Sequence, residues 1–325
     1  MERLKYIDAL RAFSIFLIVY SHLVHYGLQK NISIFNEWSN TFMVPLFFFI
    51  SGFVSYKSNT EYKGLRLYIK KNKNKFKCLI VSPLIFLLVY CFYRNNDYLW
   101  ALGDPLKNGY WFTIVLFQII IIANIQLFIK RNMLANACML ISTVLMMIGV
   151  FVISKFNNGS EHPNITDYFS WMYVTYYYYY YILGLMCRKY EKNLIRLISN
   201  KIVCSALFIF SFIPLTANGA VNYIPVTARI IAIYYLFYVY REFFEMGGVI
   251  IRLINYVGKH TLEIYFIHYF LLFRFNCFVP VLSSRPFVEM VLLGVISCAM
   301  ILMCLFIRKI IMAFMPIDKL LFSNK

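Results

Sequence analysis

Asp8, Arg11, His22 and His25 stand in or beside one apolar run, IDALRAFSIFLIVYSH, and their types and spacing could do chemistry together. Arg11 and His22 are eleven residues apart. At about 100° and 1.5 Å per residue of helix they share a face, roughly 16 Å apart along the axis. Asp8 then falls about 60° to one side of Arg11, and His25 about 40° to the other. Ionisable groups in hydrocarbon are costly, so this stripe is expected to turn away from lipid. A neutral imidazole, titrating at about pH 6.5, can accept a proton. His22, near mid-membrane, therefore suits a general base acting on a hydroxyl. The competing reading is a histidine satisfied by a neighbouring helix. Arg11 would hold an anionic part of a cytoplasmic ligand, or would anchor the inner end in a salt bridge with Asp8 at i−3. His25 reads as a second acid/base, a hydrogen-bond partner, or an outer-interface residue.

Further candidates lie downstream. Ser51-Gly52 ends a dense apolar run, where glycine permits close approach and the serine could hydrogen-bond a substrate or the histidine. Tight helix packing explains the pair equally well, and no Gly-x-Ser-x-Gly elbow is present. Tyr265 and His268 lie on neighbouring faces of a later helix and could line one cavity, while Glu263 is expected to pair with Lys259 one turn away. Arg229 and Arg274 fall in the outer halves of their helices. Snorkelling to the interface is the default for such cations, and a pair beside a lipid or sugar phosphate is the sharper alternative.

The elements that must position these residues are apolar helices. The chain of 325 residues is 61% hydrophobic and only 14% charged, with a net charge of +18. In a soluble protein that excess would point to nucleic acid. Here the basic residues lie between apolar runs, so topology explains them better. Ten candidate spans are read at 9–27, 41–56, 78–93, 110–129, 134–153, 168–187, 202–217, 223–240, 261–279 and 287–307. The second, third and seventh are short and carry Pro45, Pro83 and Pro214, which kink or end a helix. With the N-terminus inside and Arg11 counted at the inner end of its span, 25 of the 32 Lys and Arg residues fall on the inner side and five on the outer. That asymmetry predicts both termini in the cytoplasm. The 57–77 loop holds eight of the inner cations, suited to anionic headgroups or to a phosphorylated donor. Tyr176 to Tyr181 covers every face of a helix and reads mainly as packing.

The eight cysteines lie in or beside apolar runs without a CxxC pair, so neither a disulfide framework nor a metal site is indicated. No Walker A or GxGxxG pattern occurs in the loops. A single membrane domain over 1–325 without a fused soluble domain is expected, its first helix retained rather than cleaved.

The motif Asp8-x-Leu10-Arg11-Ala12, His22 eleven residues after Arg11, and Phe47-Phe48-Phe49-Ile50-Ser51-Gly52-Phe53 resemble the acyltransferase-three family of membrane O-acyltransferases. Tyr110-Trp111-Phe112 and the stretch Gly258 to Tyr269 agree with that pattern. The resemblance implies an all-α, polytopic bundle in the cell (inner) membrane. It implies acyl transfer, in the first instance acetyl transfer, from cytoplasmic acetyl-CoA or another acyl-CoA to a hydroxyl of a surface or lipid-linked glycan. No bound cofactor and no nucleic-acid partner is implied; membrane lipid, acceptor and acyl-CoA are the partners, and the oligomeric state is open. His22 and Arg11 take the catalytic positions, with Asp8, His25 and Ser51 in support, and Trp111, Tyr265, His268, Arg229 and Arg274 around a donor or acceptor cavity. Direct attack assisted by His22 and an acyl-histidine intermediate are both compatible with these residues. A secondary transporter using buried His and Arg is the competing class.

Overall fold

A computed structural model describes residues 3–29, 34–56, 72–125, 132–157, 163–211, 223–274 and 285–314. Every regular element among these residues is helical. Two compact units divide the chain: Met1–Phe53 with Met186–Ile310, and Val54–Leu185 with Ile311–Lys325.

The first unit is built around the helix Lys5–His22, which continues as a π-turn over Leu23–Leu28. An inward stripe was the expectation, but the helix is enclosed on nearly every side: Leu10, Ser14, Leu17, Val19 and Tyr20 are all fully buried. A helix apolar all round is a core helix. Ser14 is satisfied within the helix, its hydroxyl donating to the Leu10 carbonyl at 2.9 Å. The π-turn closes i to i+5 rather than i to i+4, which changes the angular step after His22. Gln29, in the left-handed region (φ 53°), ends it.

The Val249–Lys259 helix lies against the first helix at Gly258. A Cβ on Gly258 would meet the backbone of Asp8, so only glycine allows this approach. Tyr6 and Tyr234 both donate to Glu191, at 3.0 and 3.1 Å, and Arg188 pairs with the same carboxylate. This half-buried node ties the start of the first helix to the Tyr223–Val239 helix.

In the second unit a π-turn, Lys77–Val81, precedes Pro83 in the first turn of Ser82–Arg94. Proline cannot donate to the ladder, and the wider turn accommodates that loss, with the Ser82 hydroxyl donating to the Lys77 carbonyl at 3.1 Å. Before the helix Trp111–Ile125, three successive residues have positive φ: Lys107 (46°), Asn108 (49°) and Gly109 (99°). The buried Lys107 ammonium holds that turn by donating to the carbonyls of Asp104 (3.2 Å) and Asp167 (3.1 Å). Burial lowers its pKa to about 8, against the opposing pull of Asp104 and Asp167. Among the six tyrosines, Tyr178, Tyr180 and Tyr181 are buried, and Tyr178 meets Ser142 at 3.0 Å.

Among the described residues, five helical segments are long and apolar enough to cross a membrane: Lys5–Leu28, Phe35–Ser55, Asn72–Arg94, Met133–Lys155 and Pro286–Ala313. Glu191–Ile198 with Ile202–Ser211 makes a sixth if the pair, bent by 86°, is one span. Among the described residues, the other expected spans are shorter or more polar. Trp111–Asn124 and Tyr223–Val239 are apolar but short, and Trp171–Lys189 is diluted by its tyrosines. Within the expected 261–279 span the helix Thr261–Leu271 ends where Leu272 turns to extended backbone (ψ 121°), and residues 275–279 lie outside the described residues. Pro45 stands in the first turn of Met43–Ser55, after a break at Thr41–Phe42; Pro214 and most of the 57–77 loop lie outside the described residues. Seven cysteines are free among the described residues, with Cys204 and Cys298 exposed.

Candidate functional site

The end of the first helix and the Thr261–Leu271 helix bring two histidines together. His22 Nδ1 and His268 Nε2 are 2.8 Å apart, and the rings are nearly parallel (8°) with centroids 5.1 Å apart. His268 is fully buried, whereas His22 is half-buried. The other nitrogen of His268, Nδ1, donates to the Ile264 carbonyl one turn back at 3.1 Å. The Tyr269 hydroxyl lies 3.4 Å from His22 Nε2. Tyr265 packs behind, its ring 6.1 Å from His268 and 6.2 Å from Tyr269. Tyr26 places its ring edge against His22 at 5.7 Å. Nearby, Ser21 donates to Asn40 at 2.6 Å and pins the next segment beside the site.

His25 does not join this pair. It sits in the π-turn, exposed, with its ring on Tyr26 at 4.9 Å. The expected 40° offset assumed an uninterrupted α-helix, and the wider turn removes that assumption.

At the start of the first helix, the buried carboxylate of Asp8 accepts two bonds from Arg3, from Nε at 2.5 Å and Nη2 at 3.1 Å. Arg11 approaches at 3.5 Å, its side chain 27% exposed. The i−3 pair is thus present but secondary. Arg3 makes the stronger fork, and Arg11 keeps most of its donors for other work.

The other expected site residues differ in their environments. Arg229 is buried rather than snorkelling, because two internal acceptors satisfy it: the Ser211 carbonyl at 2.7 Å and the Thr41 hydroxyl at 2.5 Å. Arg274 is exposed beyond the end of its helix, so the two arginines do not form a pair of like environment. Ser51 is half-buried on Met43–Ser55 and is not hydrogen-bonded to the histidine pair. Trp111, in the second unit, stacks with Tyr173 (4.5 Å) and Tyr177 (5.5 Å). Glu263 pairs with His260 (2.9 Å) and with the buried Arg308 (3.2 Å) instead of Lys259, which is exposed. Among the described residues, no group of three His, Cys, Asp or Glu side chains is arranged to hold a metal ion.

Sequence reasoning missed Tyr269, Arg3 and Arg308. Tyr269 stands at i+4 from Tyr265, a spacing that could have flagged it. Arg3 precedes the helix, and Arg308 is 45 residues from Glu263, so neither carries a local signal.

Residues 4–308 match the family described as Acyltransferase domain, the acyltransferase-three family. The chain belongs to that family. No curated protein and no solved structure matches it. As a family member with several apolar helices long enough to span a bilayer, the protein is a membrane acyltransferase. Membership favours acyl transfer over solute transport, and it spans both histidines, Asp8 and Arg11 in one matched domain.

Proposed function

We propose that this acyltransferase moves an acyl group, acetyl in the simplest case, from cytoplasmic acyl-CoA to a hydroxyl of a cell-surface or lipid-linked glycan, with His22 as general base. The enzyme is a multi-pass protein of the cell membrane, with ten spans and both termini cytoplasmic. The reading rests on one observation above the others: the half-buried His22 uses Nδ1 for a protein partner and directs Nε2 to a hydroxyl. A base must lie within hydrogen-bond reach of the proton it removes, and the Tyr269 phenol marks such a position.

Arg11, at the inner end, attracts the anionic donor. The acceptor hydroxyl gives its proton to His22 Nε2 while its oxygen bonds to the thioester carbonyl carbon. The C–S bond then breaks, CoA leaves as a thiolate, and the imidazolium returns the proton to it. The test is transfer by the purified protein in lipid nanodiscs, supplied with acyl-CoA and a glycan acceptor. O-acyl signals in the glycan NMR spectrum and equal release of CoA are expected. Solute uptake without thioester consumption would overturn the reading.

A further inference from the structure

We infer that His268 is a positioning residue that sets the tautomer of His22, placing its proton on Nδ1 and leaving Nε2 as the proton-accepting atom. The chain of hydrogen bonds has a direction. The Ile264 carbonyl can only accept, so His268 Nδ1 carries a hydrogen. In a neutral ring the other nitrogen, His268 Nε2, is then an acceptor. His22 Nδ1, 2.8 Å away, must therefore donate to it. That leaves the lone pair of His22 on Nε2, facing the Tyr269 hydroxyl at 3.4 Å.

A backbone carbonyl at the far end makes this assignment hard to reverse. Flipping the tautomer of His22 would set two acceptors against each other and leave a buried nitrogen of His268 without its partner. Full burial of His268 removes water as a substitute. In this arrangement His268 exchanges no proton with substrate. It orients the ring that does, as a carboxylate or carbonyl orients the base in other histidine sites. The phenol of Tyr269 occupies the direction from which an acceptor hydroxyl would come.

The catalytic consequence rests on the proposed base role of His22, but the tautomer does not, so the two are tested separately. The full chain, labelled with ¹⁵N-histidine in nanodiscs, has five histidines, and the His22 signals are those lost in His22→Gln. Its Nδ1 is expected to be protonated and its Nε2 bare, and His268→Ala to shift it toward the Nε2–H form. His268→Ala should lower kcat for transfer by at least about tenfold, the cost of a wrongly oriented ring or tautomer, with the KM for acyl-CoA unchanged. His268→Gln can donate to Ile264 and accept from His22, and should recover most of the rate. A protonated Nε2 on His22 in the parent, or an unchanged tautomer in His268→Ala, would overturn the inference. Equal loss in His268→Gln and His268→Ala with the tautomer intact would overturn it too, since His268 would then be a base itself. Full activity in His22→Ala would sink the proposed function, and the NMR result would still decide the tautomer.

Discussion

His22 keeps one imidazole edge inside the protein and turns the other toward tyrosine, and that asymmetry governs what its replacement should do. His22→Ala removes the base and also leaves His268 Nε2 without its donor, at about 1–3 kcal/mol for a buried unsatisfied group. Glycan acylation should fall by about 10²–10⁴-fold, the usual contribution of a general base. His22→Gln can still donate to His268 and should recover the lost thermal stability, but not activity. A His22→Gln protein with parental turnover would remove His22 from the mechanism. Arg11 makes a different prediction. Because Arg3 holds Asp8, Arg11 is not consumed by the salt bridge at 3.5 Å. Arg11→Ala should weaken acyl-CoA binding with the fold intact, and Arg11→Lys should recover part, since charge returns without the guanidinium fork. Parental donor affinity in Arg11→Ala would make Arg11 an anchor only.

Two elements are positioned by single residues whose effects can be measured. Gly258 lets the Val249–Lys259 helix touch the backbone of the first helix at Asp8, where an added methyl has no space. Gly258→Ala should therefore separate the helices and lower stability by about 1–3 kcal/mol, as overpacking does. A thermal unfolding midpoint equal to the parent's would show that the contact is slack. In the second unit, the Lys107 turn should respond to alkali. Its folded pKa of about 8 lies below the unfolded lysine value of about 10.4. Between those two values the unfolded chain holds the proton and the folded one does not, so stability should rise with pH across that window. At lower pH both states are protonated and the dependence vanishes. Unfolding midpoints compared at about pH 7.5 and pH 9.5 should show a relative gain for the parent over Lys107→Met, the difference belonging to this amine alone.

At the scale of the whole molecule, function depends on topology. The charge asymmetry of 25 inner to five outer basic residues supports a cytoplasmic N-terminus and C-terminus. Reporters fused after Lys75 and after Lys192 should read cytoplasmic, and one after Asn158 external. An external signal from Lys75 would overturn the ten-span arrangement. That arrangement matters because donor and acceptor would then reach His22 from opposite faces, with Arg11 on the donor side.

The apolar runs, their helical period and the spacing of Arg11 to His22 were legible in the sequence, and so was the family. These are local properties, or strings of them: hydrophobic length forces helices where backbone groups cannot meet water, and a motif is read residue by residue. His22, His268, Arg11 and Asp8 could be singled out by the cost of placing polar groups in such helices. Their partners could not. His22 and His268 are 246 residues apart, and no periodicity reports a contact of that separation. The π-turn that takes His25 out of the site is equally hidden, because an average angle per residue assumes a regular ladder. Arg3 on Asp8, Arg308 on Glu263 and Thr41 under Arg229 belong to the same class. Each buried charge demanded a partner, and the packing decided which one it received: for Glu263 and Arg229 that of distant segments, for Asp8 that of the residues just before the helix.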